Sequence, residues 1–353
     1  MDPTYPLVPI TNFIACVLVV IPLVHMITRS WNTGVCVLAL WILLSNLSTA
    51  VNTIVWSNDA NDRAPVWCDI SSHLDILANT GIPACSLIIT RMLYNITKLQ
   101  GAIISKRQKR IELYSELAVC IGFPFIIAGL YYFVQGARYA ILEELGCLNT
   151  EIYSGLSVIL IDSWAILFPT ISLVFYTPRI INTFCLHRTE LNECLDNSDE
   201  ELSQSYLYRM LALGCFDVFI TLPIGVIELV VGLTKSDTLR FYEGLSVVHS
   251  DWEPAIIPKS EWSAEKWGTF SVHWDEWINV VFALVFFALF GLTPGATKGY
   301  RTCFRLTGRP FGVRQVTSTE EALPEAAFKS GKGTNTTFTS NIETGYGASY
   351  EMR

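Results

Sequence analysis

The sequence predicts an all-α membrane protein: a seven-transmembrane helix bundle with its N-terminus outside and its C-terminus in the cytosol. Three observations predict it. Seven hydrophobic stretches, each long enough to cross a bilayer, are strung along 353 residues. Lipid offers backbone amides no partner, so each stretch must satisfy its own hydrogen bonds as a helix. The composition, 51% hydrophobic with a mean hydropathy of +0.39, fits a membrane class and not a soluble globule. Lys and Arg are shared unequally between alternate connections, which sets the orientation.

The predicted spans are Leu7–Thr28, Val35–Trp56, Cys68–Leu99, Leu113–Gln135, Gly155–Arg179, Arg209–Thr234 and Trp274–Thr297. Val35–Trp56, Leu117–Gly136 and Trp277–Thr297 hold no Asp, Glu, Lys or Arg. The third span is weaker, because Asp69, Asp75 and Arg91 leave only Ile76–Thr90 free of charge. The fifth holds Asp162, and the sixth holds Asp217 and Glu228. A bundle interior tolerates such groups, which then become functional candidates. Residues 1–6 form a short outer N-terminus, 7–299 the bundle and 300–353 a cytosolic tail. The start Met1-Asp2-Pro3 lacks the basic region of a cleaved signal peptide, so the first helix is expected to insert as its own signal.

With the N-terminus outside, the inner connections and tail base hold Arg29, Lys98, Lys106, Arg107, Lys109, Arg110, Arg179, Arg188, Arg209, Lys298, Arg301, Arg305, Arg309 and Arg314. The outer side holds Arg63, Arg138, Lys235, Arg240, Lys259 and Lys266. Positive charge follows the cytosolic side. Cysteine placement agrees. Cys68 and Cys147 are the two at the outer side, one heading helix 3 and one in the second outer loop. An oxidising compartment would pair them; two free buried thiols remain the alternative. Asn-x-Ser/Thr occurs at Asn46, Asn95 and Asn335, in or beside the membrane or in the cytosol, so no glycosylation is expected.

The connections differ in character. The second inner loop, Gln100–Glu112, carries the basic run Lys106, Arg107, Lys109 and Arg110; the third turns acidic over Glu190–Glu201. Thr317–Tyr350 is rich in Ser, Thr and Gly and is expected to be disordered. The third outer loop, about Lys235–His273, holds Trp252, Trp262 and Trp267, and Trp274 and Trp277 follow. An interfacial belt explains some of these, but not Trp252 and Trp262 in mid-loop, so a folded cap or ligand-contacting loop is favoured. Its acidic balance suits a cationic ligand as well as it suits an ordinary solvated loop. Pro22, Pro83, Pro124, Pro169, Pro223 and Pro294 sit inside helices and can kink them.

These residues narrow the function classes. A retinal protein needs a Lys within its last helix, and none occurs from Trp267 to Thr297. A transporter generally shows repeated halves, which are missing here. No GxSxG elbow or phosphate-cradling loop occurs. A seven-helix intramembrane enzyme of the metal-hydrolase type stays open as the alternative, if His73, His249 and His273 meet at the outer mouth. No cofactor and no nucleic-acid partner is expected. A receptor that senses outside and couples inside is the favoured class.

At this point a specific resemblance appears. It rests on Pro22-Leu-Val-His25 with Arg29-Ser-Trp-Asn-Thr-Gly34, on Trp41 through Asn46 and Asn52-Thr-Ile-Val-Trp56, and on Trp67-Cys-Asp-Ile70 leading into Gly81-Ile-Pro83. It continues through Leu87-Ile-Ile-Thr-Arg91, Gln135-Gly-Ala-Arg138-Tyr139, Glu143-Glu144-Leu-Gly-Cys147, Tyr206–Met210 and Val248-His249-Ser-Asp-Trp252. In this order they resemble the fungal mating-pheromone receptors of the a-factor receptor class, including mushroom B mating-type receptors. The resemblance covers roughly Pro6–Tyr300. It implies a plasma-membrane G-protein-coupled receptor for a secreted peptide with a farnesylated, carboxymethylated C-terminal Cys. It implies signalling through a heterotrimeric G protein to a mating MAP-kinase response, and no chemistry on the ligand. Whether a homodimer forms is left open.

A farnesyl group asks for an aromatic and aliphatic groove among helices, and the peptide part for polar groups near the outer ends. The ligand candidates are His73, Asp75, Asn79, Asp162, Glu228, His249, Trp252, Asp275, Glu276 and Trp277. Asp75 and Asn79, four apart, share a helix face. Structural hydrogen bonds between helices are the competing role for Asp162 and Glu228. On the inner side Arg91, Lys106, Arg107, Lys109, Arg110 and Arg209 are candidates for the G-protein face, with anionic membrane lipid as the competing partner of the basic run. Asp217 is placed to pair with Arg91 across the inner half. Pro223 is the hinge candidate of helix 6, by analogy.

Overall fold

The computed structural model describes residues 5–29, 32–98, 105–186, 204–235, 240–264 and 266–293. The acidic part of the third inner loop, Cys194, Cys303, Pro294, Asn335 and the tail lie outside the described residues. Seven described helices are long and apolar enough to cross a membrane. They are α1 Leu7–Arg29, α2 Thr33–Val55, α3 Pro65–Lys98 and α4 Lys106–Phe133. They continue with α5 Gly155–Thr183, α6 Gln204–Lys235 and α7 Lys266–Gly291.

The helices outrun several predicted spans. α4 starts at Lys106 and not at Leu113, because Ser105 caps it: its hydroxyl accepts from Gln108 N at 3.2 Å. The basic run therefore lies on the first turns of a helix and not in a loop. α7 starts at Lys266 and not at Trp274, so Trp267 and Trp274 are helical. Hydropathy marks the thickness of the bilayer, and a helix can continue past it on polar turns.

α2 and α3 form the centre. Leu38, Ile42, Cys85 and Ile89 pack there with Met210 of α6 and Phe286 of α7. Polar side chains tie the helices across this core. Asn46 Nδ2 donates to Ile42 O at 2.8 Å and to Asn279 O on α7 at 3.0 Å. Trp41 Nε1 of α2 donates to Cys120 O of α4 at 3.1 Å. Pro22, Pro83, Pro169 and Pro223 lie within helices, and Pro124 follows a π-type turn at Ala118–Gly122.

A three-stranded sheet caps one end of the bundle, an element that the predicted spans did not contain. β1 Ala140–Leu142 and β2 Gly146–Leu148 form an antiparallel hairpin with Ile141 opposite Cys147. β3 Ala255–Ile257, from the α6–α7 connection, pairs parallel to β1. Cys68 at the head of α3 and Cys147 on β2 form a disulfide with a Cα–Cα distance of 5.1 Å. Asn52 of α2 secures the same point: Nδ2 donates to Cys147 O at 3.1 Å and Oδ1 accepts from Trp67 Nε1 at 2.7 Å. Gly146, at φ +93°, lies so close that a Cβ would sit 2.6 Å from that of Asn52.

The tryptophans hold this cap together. Trp262 is buried with Leu145 and Val272, and its indole donates to Glu143 O at 3.2 Å. Lys259 Nζ grips Glu144 at 2.6 and 2.8 Å, and the Lys259 amide donates to Glu143 Oε2 at 2.8 Å. Trp252 packs edge-on to His249 and Tyr132, with ring centroids 4.4 and 6.0 Å away.

Candidate functional site

A cavity of about 260 Å³ opens between α3, α5, α6 and α7, beside the connection that follows β2. One part of its lining is apolar: Ile82 and Pro83 of α3, Ile220 and Ile224 of α6, Ile278 and Phe282 of α7. The other part is polar. Asn79 comes from α3, Asn149 and Glu151 from the β2–α5 connection, Asp162 from α5, Glu228 from α6, and Trp274 and Asp275 from α7. The division follows position along the chain. Most of the polar residues lie nearer the sheet-capped end; deeper along α3, α6 and α7 the lining is mainly apolar, with Thr221 and Asn279 as the polar groups at that depth.

The local structure explains each placement. The Glu151 backbone bridges Gln135 in antiparallel fashion, and Ile152 N donates to Val134 O at 2.9 Å, so the connection is strapped to the end of α4. Tyr131 reinforces the strap: its hydroxyl donates to Thr150 O and accepts from Thr150 N at 2.7 Å. Ser154 then caps α5 in a capping box with Ser157. Asp162 lies at the end of a π-type stretch, Val158–Asp162, which shifts the register of α5 where it borders the cavity. Glu151 Oε2 and Asp162 Oδ2 are shut off from solvent without a hydrogen-bond partner. Burial pushes the Glu151 carboxyl up to about 8, with the charges of Asp162 and Glu228 adding to the shift.

Of the candidate ligand residues, Asn79, Asp162, Glu228 and Asp275 meet at this cavity. Asp75 stands behind Asn79 and accepts from its amide at 3.3 Å. His73, His249, Trp252, Glu276 and Trp277 are not among the lining residues. His73 Nδ1 bonds Asp69 O at 2.8 Å, and His249 Nε2 bonds Tyr132 O at 3.0 Å. Glu276 is buried and pairs with His273 Nδ1 at 2.8 Å, while its carbonyl accepts from Asn12 of α1 at 3.4 Å. These three histidines are thus tied to separate partners and do not converge. Among the described residues no group of three His, Cys, Asp or Glu is arranged to hold a metal. Of the polar lining residues, sequence reasoning missed Asn149, Glu151, Thr221 and Asn279; nothing in the run Asn149-Thr150-Glu151 distinguishes it from a solvated loop.

At the opposite end, Lys106, Arg107, Lys109 and Arg110 are exposed on the first turns of α4. Arg209 lies near the start of α6. Arg91 of α3 lies within electrostatic reach of Glu116 on α4. The expected pair of Arg91 with Asp217 is not formed. Asp217 is buried, accepts from Thr221 Oγ1 at 2.7 Å, and faces Ser86. A carboxyl on this side of α6 points toward a different turn of α3 than the one that carries Arg91.

Comparison with known proteins agrees with this architecture. A family model described as pheromone A receptor matches residues 7–311. The Pheromone B alpha 3 receptor of Schizophyllum commune is 30% identical over 324 residues, 90% of this chain and 50% of that protein. The Pheromone B alpha 2 receptor of the same species is 32% identical over 340 residues, 94% of this chain and 51% of that protein. Pheromone receptor 1 of Mycosarcoma maydis is 29% identical over 301 residues, 84% of this chain and 82% of that protein. The chain spans about half the length of the Schizophyllum receptors it matches.

Proposed function

The chain belongs to the pheromone A receptor family, a multi-pass membrane family, and from that premise we propose that its cavity binds a lipid-modified peptide pheromone. The observation that carries this reading is the graded lining: a mainly apolar floor between α3, α6 and α7 below an acidic, polar rim at the sheet-capped end. A farnesyl chain matches such a floor, and a short peptide matches the rim. The ligand residues are Asn79, Asp162, Glu228 and Asp275, with Glu151 added. His73, Asp75, His249, Trp252, Glu276 and Trp277 act around them, as supports of the cap and rim.

The sheet-capped end faces outward in this reading. The Cys68–Cys147 disulfide supports that side, because such bonds persist in oxidising compartments. The excess of Lys and Arg at the other end supports it independently. Arg91, Lys106, Arg107, Lys109, Arg110 and Arg209 then face the cytosol and meet a heterotrimeric G protein, with anionic lipid as the second partner of the α4 run. The protein works at the plasma membrane, feeds a mating MAP-kinase response and performs no chemistry on its ligand. Activation is a population shift in which ligand binds the active bundle more tightly, with α6 hinging at Pro223.

The test is expression of the full chain in a pheromone-reporter yeast, challenged with farnesylated, carboxymethylated peptides and their unfarnesylated counterparts. A response confined to the lipidated peptides is expected. A response indifferent to the lipid would remove the role of the apolar floor.

A further inference from the structure

The rim of the cavity is rich in acceptors. Glu151, Asp162, Glu228 and Asp275 converge there from four separate segments, and no described Lys or Arg is among the lining residues. Asn79 directs its amide to Asp75. Glu151 Oε2 and Asp162 Oδ2 have neither solvent nor a hydrogen-bond partner. A buried acceptor left unmade is costly, and a buried carboxylate without a counter-charge more so. The rim carboxyls crowd one another with no described cation among the lining residues, and an arriving donor with positive charge relieves that arrangement.

We propose that this rim is a subsite for a cationic group, a primary ammonium or a guanidinium, on a ligand whose apolar end occupies the floor. The inference rests on the lipopeptide reading above and narrows it. The peptide part carries a positive charge within reach of Glu151 and Asp162, and an anionic group at that depth is repelled. Glu151 reports on the ligand because its backbone is strapped to the end of α4 and its Oε2 is shut off from solvent at the cavity.

The experiment uses the purified full chain in lipid nanodiscs and three small probes that differ in charge: S-farnesylcysteamine, its neutral N-acetyl derivative, and the anion farnesylthioacetate. Affinities are read by titration calorimetry. The ammonium probe is expected to bind about tenfold tighter than the neutral one, the size of one charge-assisted hydrogen bond. In Glu151→Gln/Asp162→Asn that preference falls to about twofold or less, since only Glu228 and Asp275 remain. A cooperative melting transition of the variant in nanodiscs shows that it is folded. Equal binding of ammonium and neutral probes by the unaltered receptor, or a preference that survives in the double variant, overturns the proposal. Decylammonium and decanol repeat the comparison without the isoprenoid. A charge preference there, with no binding of any farnesyl probe, upholds the subsite and overturns the isoprenoid reading. Farnesyl binding without charge preference overturns the subsite alone, and no binding by any probe overturns both.

Discussion

The indole of Trp41 on α2 donates to the carbonyl of Cys120 on α4 at 3.1 Å. That carbonyl is the one Pro124 leaves without its helical donor, because proline has no N–H to return four residues back. The local π-type turn at Ala118–Gly122 marks the same disruption. Trp41 can reach across only because Gly81 of α3 lacks a side chain: a Cβ there would lie 2.6 Å from the indole nitrogen. One tryptophan, one glycine and one proline thus lock three helices in a single register.

Gly81→Ala should displace the Trp41 ring and cost about 1–3 kcal/mol, the usual range for overpacking a tight contact. Trp41→Phe should cost a similar amount, about 1–3 kcal/mol, by leaving Cys120 O buried and unpartnered. The two changes strike the same contact, so the double variant should lose less than the sum. Melting of the receptor in nanodiscs measures this, and strict additivity would show that the residues act separately.

The Cys68–Cys147 disulfide spans 79 residues of sequence, so breaking it should cost about 2–5 kcal/mol by releasing chain entropy in the unfolded state. Cys68→Ser, Cys147→Ser and the pair together should be alike, since each removes the same bond. Hydrogen exchange should rise first at β1 and β2. Asn52 holds Cys147 O independently, so some protection of the hairpin should survive. Complete loss of protection would show that the covalent bond alone positions the cap.

Two ion pairs flank the cap and should behave differently. Glu144 is buried, and its partner Lys259 also bonds Glu143 through its amide. Lys259→Met should destabilise the cap by about 1–2 kcal/mol, discounted because the lysine itself is partly solvated. Adding Glu144→Gln should restore most of the loss, since it removes the stranded charge. Arg138–Asp69 is partly exposed at both ends, and Arg138→Ala should cost no more than about 1 kcal/mol. A large effect at Arg138 with none at Lys259 would invert this ranking of the pairs.

The spans were legible in the sequence because a bilayer imposes both length and composition on each helix. Their ends were not, since the polar first turns of α4 and α7 carry no hydropathy signal; the Ser105 cap was the available clue. The sheet escaped notice because its strands are three residues long, too short for alternation to register. Intramembrane polarity drew attention to Asn79, Asp162, Glu228 and Asp275, which line one cavity. Glu151 joins them only through its strap to Gln135, a long-range pairing that local sequence does not encode. His73 and His249, ligand candidates by sequence, each bond a backbone carbonyl and lie outside the cavity lining.

The Glu151 carboxyl gives the site a pH signature. Burial raises it from the ordinary 4.5 to about 8, and the neighbouring Asp162 and Glu228 charges add to this. Tyr131 and Tyr153 also face it; Tyr153 titrates near 12 and stays neutral across the range. The folded receptor therefore holds a proton that the unfolded chain has released. Stability from this group is full below about pH 4.5 and is lost as pH rises through about 8. Ligand affinity runs the opposite way, because a cationic probe prefers the ionised carboxylate. Binding of S-farnesylcysteamine, whose own amine stays charged, should strengthen about three- to tenfold between about pH 6.5 and 8.5. Calorimetry in buffers of different ionisation enthalpy should detect proton release on binding at about pH 7. In Glu151→Gln both the slope and the released proton should vanish, while the melting temperature at high pH should rise. An unaltered pH slope in that variant would assign the titration to Asp162 or Glu228 and leave Glu151 as a strut of the loop.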